Sequence, residues 1–292
     1  TIPIYEHKAT ALVFFNTLTE AAKFVPLIGK LDGAALEIMD EYALRAIKHV
    51  KGLPDIIYTD LPPGIAALLL EFENNDQQLL QQDVDQTNAL LTSADLYQGF
   101  SFSSSPPERE LLWSVRRELG PLHAANRPPG TTVLSEDVCF ETRDLSAAIS
   151  DLQTMFKQFG YKDAIIFGHS REGNLHFKLS IDFNQHGAVE NYAKFMDSLV
   201  LLVVDKYDGS LKAEHGTGRN MAPFLEKEWG EEAVLIMRKI KQLLDPQGIL
   251  NPDVIISDDK SVHLKNIKAI PQVDKLIDPC IECGMCEKWC PS

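Results

Sequence analysis

A chain of 292 residues, 45% of them apolar, can bury a substantial core, and its length permits one large domain or two smaller ones. The formal charge of -14 opposes a phosphate backbone, whose ligands draw their affinity from Lys and Arg clusters, so no nucleic-acid partner is expected. No apolar run approaches the roughly 20 residues that cross a bilayer, and Thr1-Ile2-Pro3 has neither an initiator Met nor a charged start leading into an apolar secretory segment, so the sequence reads as an excised fragment.

In chain order, Thr10 to Asn16 reads as a buried strand, followed by a helix from about Thr19 that carries Ala22, Val25 and Ile28 on one face. Ala35 to Asp40 predicts the next strand and Glu41 to Lys51 the next helix. Pro62-Pro63-Gly64 punctuates, and the pattern restarts with a strand over Ile65 to Glu73, a polar helix from about Asn75 to Leu91 and a short strand near Gln98 to Phe102. A solvated loop over Ser101 to Pro107 launches a helix, with proline in its first turn and Glu108 and Glu110 at its positive end.

A third round follows the Asn126 to Thr131 segment: strand Thr132 to Cys139, helix Leu145 to Phe159, strand Ala164 to Phe167. A turn over His169 to Gly173 leads into strand Asn174 to Phe183, where Leu175, Phe177, Leu179 and Ile181 alternate with polar positions and mark one buried sheet face. A long helix is predicted over Val189 to Tyr207 and another over Trp229 to Leu244, closed by a fixed turn over Asp245 to Pro252. The pattern predicts an α+β fold in which ferredoxin-like split βαβ units form a largely antiparallel sheet with helices packed on one face.

Four of the five cysteines fall as Cys280-x-x-Cys283-x-x-Cys286-x-x-x-Cys290-Pro291, and only Cys139 lies in the body. That distribution argues for metal ligation in a reducing, cytoplasmic compartment rather than a disulfide framework. The spacing is that of bacterial ferredoxins, in which thiolates, as soft anionic donors, wrap a four-iron (4Fe-4S) cluster. Zinc on four cysteines is the competing reading, in a spacing that zinc modules seldom use. The fourth cysteine of such a run ligates a second cluster in two-cluster ferredoxins, so this stretch alone is expected to carry no iron.

Two short runs hold the remaining chemistry: Gly168-His169-Ser170-Arg171-Glu172-Gly173-Asn174-Leu175-His176 and Glu214-His215-Gly216-Thr217-Gly218-Arg219. His169 and His176 lie seven positions apart, which would place them on opposite faces of a straight strand, so the Ser170 to Gly173 turn must fold them together. Two imidazoles and the Glu214 carboxylate make a two-histidine, one-acid set for a divalent metal with positions left open for substrate. His215, expected to point elsewhere than Glu214, is then free to act as a base. The competing reading makes these histidines hydrogen-bonded structural residues. Gly216 and Gly218 would let backbone approach a flat or bulky ligand.

These two runs, followed by Asp245-Pro-x-Gly-Ile-Leu-Asn251-Pro252 and joined by Leu112-Trp113-Ser114-Val115-Arg116 and Glu136-Asp137, resemble the C-terminal domain of the FAD-linked oxidases. That family includes D-lactate, glycolate and D-2-hydroxyglutarate dehydrogenases, and the cysteine run resembles its bacterial branch fused to an iron–sulfur region. The resemblance implies that His169, His176 and Glu214 hold a zinc-like divalent ion that grips a 2-hydroxy acid, while His215 takes the hydroxyl proton as the Cα hydride passes to flavin N5. It implies that Arg116 pairs with a substrate carboxylate in bidentate fashion, that Asn174 bonds near the substrate, and that Asn251, Glu214 and His215 lie beside FAD. Gly120 and Ser135 stand where the hydroxyglutarate enzymes carry threonine and lysine for the second carboxylate, which favours a monocarboxylate such as D-lactate.

The resemblance also sets the expected domains: residues 1–9 end a preceding FAD-binding domain or linker, 10–256 form the substrate domain, 257–276 a tether, and 277–292 the start of a truncated ferredoxin-type domain. FAD would be held mainly by that preceding domain, so the fragment itself is expected to be inactive. Electrons would go on through iron–sulfur clusters to a quinone or carrier protein, with peripheral contact at the inner face of the membrane open to the full-length protein. The rival from another class is a non-catalytic electron-transfer or docking subunit of a glycolate oxidase-like complex, which has no need of the histidine set. A zinc hydrolase using the same residues gives no reason for the cysteine run.

Overall fold

The alternating runs of the sequence become strands β1 (His7–Phe15), β2 (Gly33–Met39), β3 (Ala66–Asn74), β4 (Thr132–Cys139), β5 (Ile165–His169) and β6 (Asn174–Ile181). The computed structural model describes residues 5–31, 33–117, 119, 127–278 and 280. The strands form one six-stranded sheet in the order β1-β3-β2-β5-β6-β4, antiparallel at every adjacent pair. In each half two strands joined through a helix flank a third: β3 lies between β1 and β2, and β6 between β5 and β4. These are two split βαβ units meeting at the β2–β5 seam, as the sequence pattern predicts.

The helices α1 (Leu18–Ile28), α2 (Glu41–Ala46), α3 (Gln77–Leu91), α4 (Pro106–Arg117), α5 (Leu145–Gln158), α6 (Ala188–Val200) and α7 (Leu225–Leu244) begin where the sequence offers caps or charges suited to a helix start. The Thr17 hydroxyl accepts from Glu20 N at 3.1 Å, and the Asp40 carboxylate from Ala43 N at 2.7 Å. One sheet face, built from positions such as Val13, Ile38, Leu70, Ile166 and Phe177, packs against the apolar stripes of α1, α3, α5 and α6. A smaller core covers part of the opposite face, where Leu12, Met39, Leu69 and Phe167 meet Leu44 of α2 and Val115 of α4. The other end of that second face carries polar residues from β2, β4, β5 and β6 instead.

Three expectations need correction. The Gln98 to Phe102 stretch is not a strand; it touches the outer edge of β1 only through isolated bridges at Leu96 and Ser103, because Phe100 and Phe102 turn into the apolar core between them. The segment expected to be a tether is laid along the body: Ser257, Val262 and His263 are buried, Leu264 and Ile267 pack on the main core, and Lys260 reaches Glu226 at 3.0 Å. Charge and low aromatic content hid a few apolar anchors there. The α7 helix starts at Leu225 and breaks at Gly230, whose φ of 76° is left-handed. Thr1 to Ile4, Gly120, Cys283, Cys286 and Cys290 lie outside the described residues. No helix among the described residues is long and apolar enough to cross a membrane.

Asp40 ties the smaller core together. Its Oδ1 caps α2, its Oδ2 accepts from Ile166 N at 2.8 Å, and burial pushes its carboxyl up to about 7 against the pull of the Ala43 and Ile166 N–H groups. The unfolded chain releases that proton near the ordinary value of 3.8, so between roughly pH 4 and 7 the folded state binds the extra proton and stability falls as pH rises. Denaturant unfolding at pH 5 and pH 8 should show the parent losing on the order of 1 to 3 kcal/mol more than Asp40→Asn over that interval. Identical pH profiles for the two proteins would show that Asp40 does not titrate there.

Candidate metal and proton-transfer site

The site is assembled on the polar end of the second sheet face, and the turn between β5 and β6 sets its geometry. Ser170–Glu172 form a single 3-10 turn closed by Gly173, whose φ of 74° suits a residue without a side chain. This turn pairs Phe167 with His176 in register and so brings His169, two residues on from Phe167, to the face His176 occupies. The rings of His169 and His176 then meet edge to face with centroids 5.3 Å apart. The glycines of this run serve backbone packing rather than ligand approach: a Cβ on Gly168 would lie 2.3 Å from Asn174 O, and one on Gly173 would lie 1.8 Å from Phe140 O. At Gly216 and Gly218, by contrast, a Cβ would meet open space.

The second run arrives along the outer edge of β4. Ser210 and Cys139 exchange two backbone hydrogen bonds at 2.9 Å, Lys212 bridges to Asp137, and the chain then delivers Glu214 over the histidines. Glu214 Oε1 lies 3.3 Å from His169 Nε2 and 3.1 Å from His176 Nε2. His215 does not point away as expected: it stacks on His176 with centroids 5.0 Å apart, and its Nε2 lies 3.7 Å from the same Glu214 oxygen.

Both histidines of the β5–β6 hairpin have a carboxylate behind them. Glu37, directly across from His169 on β2, accepts from His169 Nδ1 at 2.6 Å and from Arg116 Nε at 2.7 Å. Burial pushes the Glu37 carboxyl up, but the His169 hydrogen bond and the Arg116 guanidinium outweigh it and hold it below the ordinary value. The same hydrogen bond raises His169. Burial pushes His176 down to about 4, with His215 and His169 adding to the effect, so its ring is neutral near pH 7 and its nitrogens can serve as ligands. His176 Nδ1 lies 3.5 Å from Asp137 Oδ1 without hydrogen-bond geometry and has no other partner among the described residues.

Two overlapping sets could hold a cation: His169, His176 and Glu214, or Asp137, His176 and His215. Asp137 already accepts from Glu214 N and His215 N at 2.8 Å each and from Asn174 Nδ2 at 2.6 Å, so its lone pairs are largely committed. The first set fits a divalent ion better: two Nε2 atoms and one carboxylate oxygen converge, and the half-exposed Glu214 leaves the outer side open.

Arg116 stands at this site, but its Nε edge is committed to Glu37, so an incoming carboxylate would meet only its Nη end. Trp113, from the same sequence run, donates to Glu71 at 2.7 Å and is structural. Asn174 bonds to Asp137, and Asn251 sits exposed in the turn around Asp245 with φ 42°, with no hydrogen bond or ion pair to the histidines among the described residues. Cys280 is exposed at the rim of a cavity of about 570 Å3 that also includes Ser135 and Lys178 of the site's own sheet face. Arg127 Nη2 anchors this end by donating to Asp278 O at 2.7 Å and Cys280 O at 3.1 Å.

Sequence reasoning gave no role to Glu37, Asp137 or Lys178. Glu37 interrupts the apolar run Leu36 to Met39, and a lone carboxylate in such a strand is a usable signal. Lys178 follows His176 by two positions and so shares its face, where its ammonium lies 5.5 Å from the Phe167 ring centroid and the Arg116 guanidinium 4.9 Å.

Residues 4–255 match the family model described as FAD linked oxidases, C-terminal domain. The chain is 28% identical over 261 residues to a mitochondrial D-lactate dehydrogenase [cytochrome] of Arabidopsis thaliana, covering 87% of this chain and 43% of that one. It is 24% identical over 260 residues to glycolate oxidase subunit GlcD of Bacillus subtilis, covering 88% and 53% respectively. The chain thus spans about half the length of these relatives. Its fold is similar to that of 4-ethylphenol oxidase from Gulosibacter chungangensis, with a TM-score of 0.57, 15% identity and coverage of 88% of this chain and 55% of that one.

Proposed function

From the membership of this chain in the FAD-linked oxidase C-terminal domain family, we propose that it is the substrate and proton-transfer domain of a flavin-dependent D-2-hydroxyacid dehydrogenase acting on D-lactate or a similar acid. The observation that carries this reading is the convergence of His169 Nε2, His176 Nε2 and His215 Nε2 on one oxygen of Glu214, at 3.3, 3.1 and 3.7 Å. A docking module has no use for such a set, whereas removal of a proton beside a metal-held hydroxyl needs it.

When bound, a divalent cation on His169, His176 and Glu214 would acidify the substrate hydroxyl, and FAD would supply the acceptor for the Cα hydride. The half-exposed Glu214 and His215 leave that face open for a flavin carried by another domain. Arg116 would hold the substrate carboxylate through its Nη end, with Asn174 close behind His176. His215 would take the hydroxyl proton on Nε2. The Glu37 hydrogen bond fixes His169 with its Nδ1 proton turned inward and its Nε2 lone pair turned out. In the full-length protein the cysteine run that starts at Cys280 would help to hold an iron–sulfur cluster, whose chemistry would pass electrons on to a quinone or carrier protein.

The test is turnover of a panel of D-2-hydroxy acids by the full-length protein, before and after chelation. Oxidation of at least one of them should be lost with the metal and restored by zinc. A protein whose flavin is reduced by none of the panel is not this enzyme.

A further inference from the structure

Asp137 is fully buried on the edge strand β4, directly opposite His176. Its Oδ2 accepts from the backbone N–H of both Glu214 and His215, at 2.8 Å each, and its Oδ1 from Asn174 Nδ2 at 2.6 Å. The same carboxylate faces the Nδ1 edges of two rings, Oδ1 at 3.5 Å from His176 and Oδ2 at 3.8 Å from His215. On the other face of the strand its neighbour Glu136 accepts from Lys212 Nζ and Asn220 Nδ2, at 2.7 Å each. The run that bears Glu214 and His215 is therefore gripped from both faces of β4.

We propose that Asp137 is the positioning residue of this site: one carboxylate fixes by hydrogen bonds the backbone that presents Glu214 and His215, and it places a negative charge beside the Nδ1 edges of His176 and His215, whose Nε2 atoms face the reacting centre. This deepens the dehydrogenase reading and rests on it for the role of His215. A carboxylate beside Nδ1 favours the tautomer protonated there, which leaves the Nε2 lone pair for a metal or a proton. When the substrate O–H bond breaks and its proton passes to His215 Nε2, the positive charge on the ring faces Asp137, which stays ionised.

Two variants of the full-length protein separate the grip from the charge. Asp137→Asn keeps an oxygen for the two backbone N–H groups, and Asn174, whose Oδ1 has no partner among the described residues, can turn that oxygen toward the new amide. This variant should fold as the parent does and lose about 10- to 100-fold in kcat with KM nearly unchanged, and its solvent isotope effect on flavin reduction should rise. Asp137→Ala also releases the Glu214 backbone and should weaken zinc affinity, read by competition with a chromophoric chelator, by about 10- to 100-fold. Parental kcat in Asp137→Asn, or a loss explained by its unfolded fraction, would overturn the orienting role. Parental zinc affinity in Asp137→Ala would overturn the grip. If the parent oxidises no D-2-hydroxy acid, the dehydrogenase reading fails, while the zinc comparison still decides whether Asp137 holds Glu214.

Discussion

Replacing His215 by Ala in the full-length protein should slow flavin reduction by a D-2-hydroxy acid about 10²- to 10⁴-fold while FAD stays bound. The side chain is half exposed, its ring stacks on His176, and its nitrogens lie 3.7 and 3.8 Å from the nearest carboxylate oxygens, too far for strong hydrogen bonds. Its removal therefore leaves the buried frame of Glu37, Asp137 and His176 in place and costs little stability. What disappears is the nitrogen that stands 3.7 Å from Glu214 Oε1, where a metal-held hydroxyl would lose its proton. Stopped-flow absorbance of the flavin reads the step directly. A variant that reduces flavin at the parental rate would remove His215 from the role of base.

The second large effect is structural. Gly173→Ala should destabilise the protein by about 3 to 5 kcal/mol and weaken zinc binding with it. The position combines a φ of 74° with a Cβ site 1.8 Å from the backbone oxygen of Phe140, so the new methyl group can be admitted only by moving the β5–β6 turn away from β4. That movement separates His169 and His176 from Asp137. Gly187 is the control: its φ of 81° is equally left-handed, but nothing lies within 4 Å of a Cβ there. Gly187→Ala should cost only the backbone preference, about 1 to 2 kcal/mol. Chemical denaturation of the two variants checks the contrast, and equal costs would mean that the turn is not locked against β4.

The contrast between these glycines shows what could be read from sequence and what could not. A period-two alternation such as Leu175, Phe177, Leu179, Ile181 reports burial on one side of a strand, so the sheet and its split βαβ units were legible. The histidine and acid runs were legible because polar, titratable residues are poor core material. Their partners were not: Glu37 meets His169 across 132 residues of chain, and Asp137 meets His215 across 78, contacts fixed only by strand order. The same limit hid the true use of Gly173, since Phe140 O reaches it from the residue that follows β4, 33 positions back in the chain. The 257–276 stretch misled in the opposite direction, because few apolar anchors among many charges suffice to dock a segment when Val262 and His263 find the core.

The two halves of the sheet are joined by only a short seam, the register pairs Glu37 with His169, Ile38 with Gly168 and Met39 with Phe167. Glu37 belongs to one half and the histidines to the other, so neither half contains the whole centre. A one-residue slip along this joint would swing every side chain of β5 to the opposite surface and carry His169 away from both Glu37 and Glu214. On the dehydrogenase reading, the centre is therefore a vernier on how the halves are aligned: a displacement of a single residue spacing would take it apart with every strand still formed.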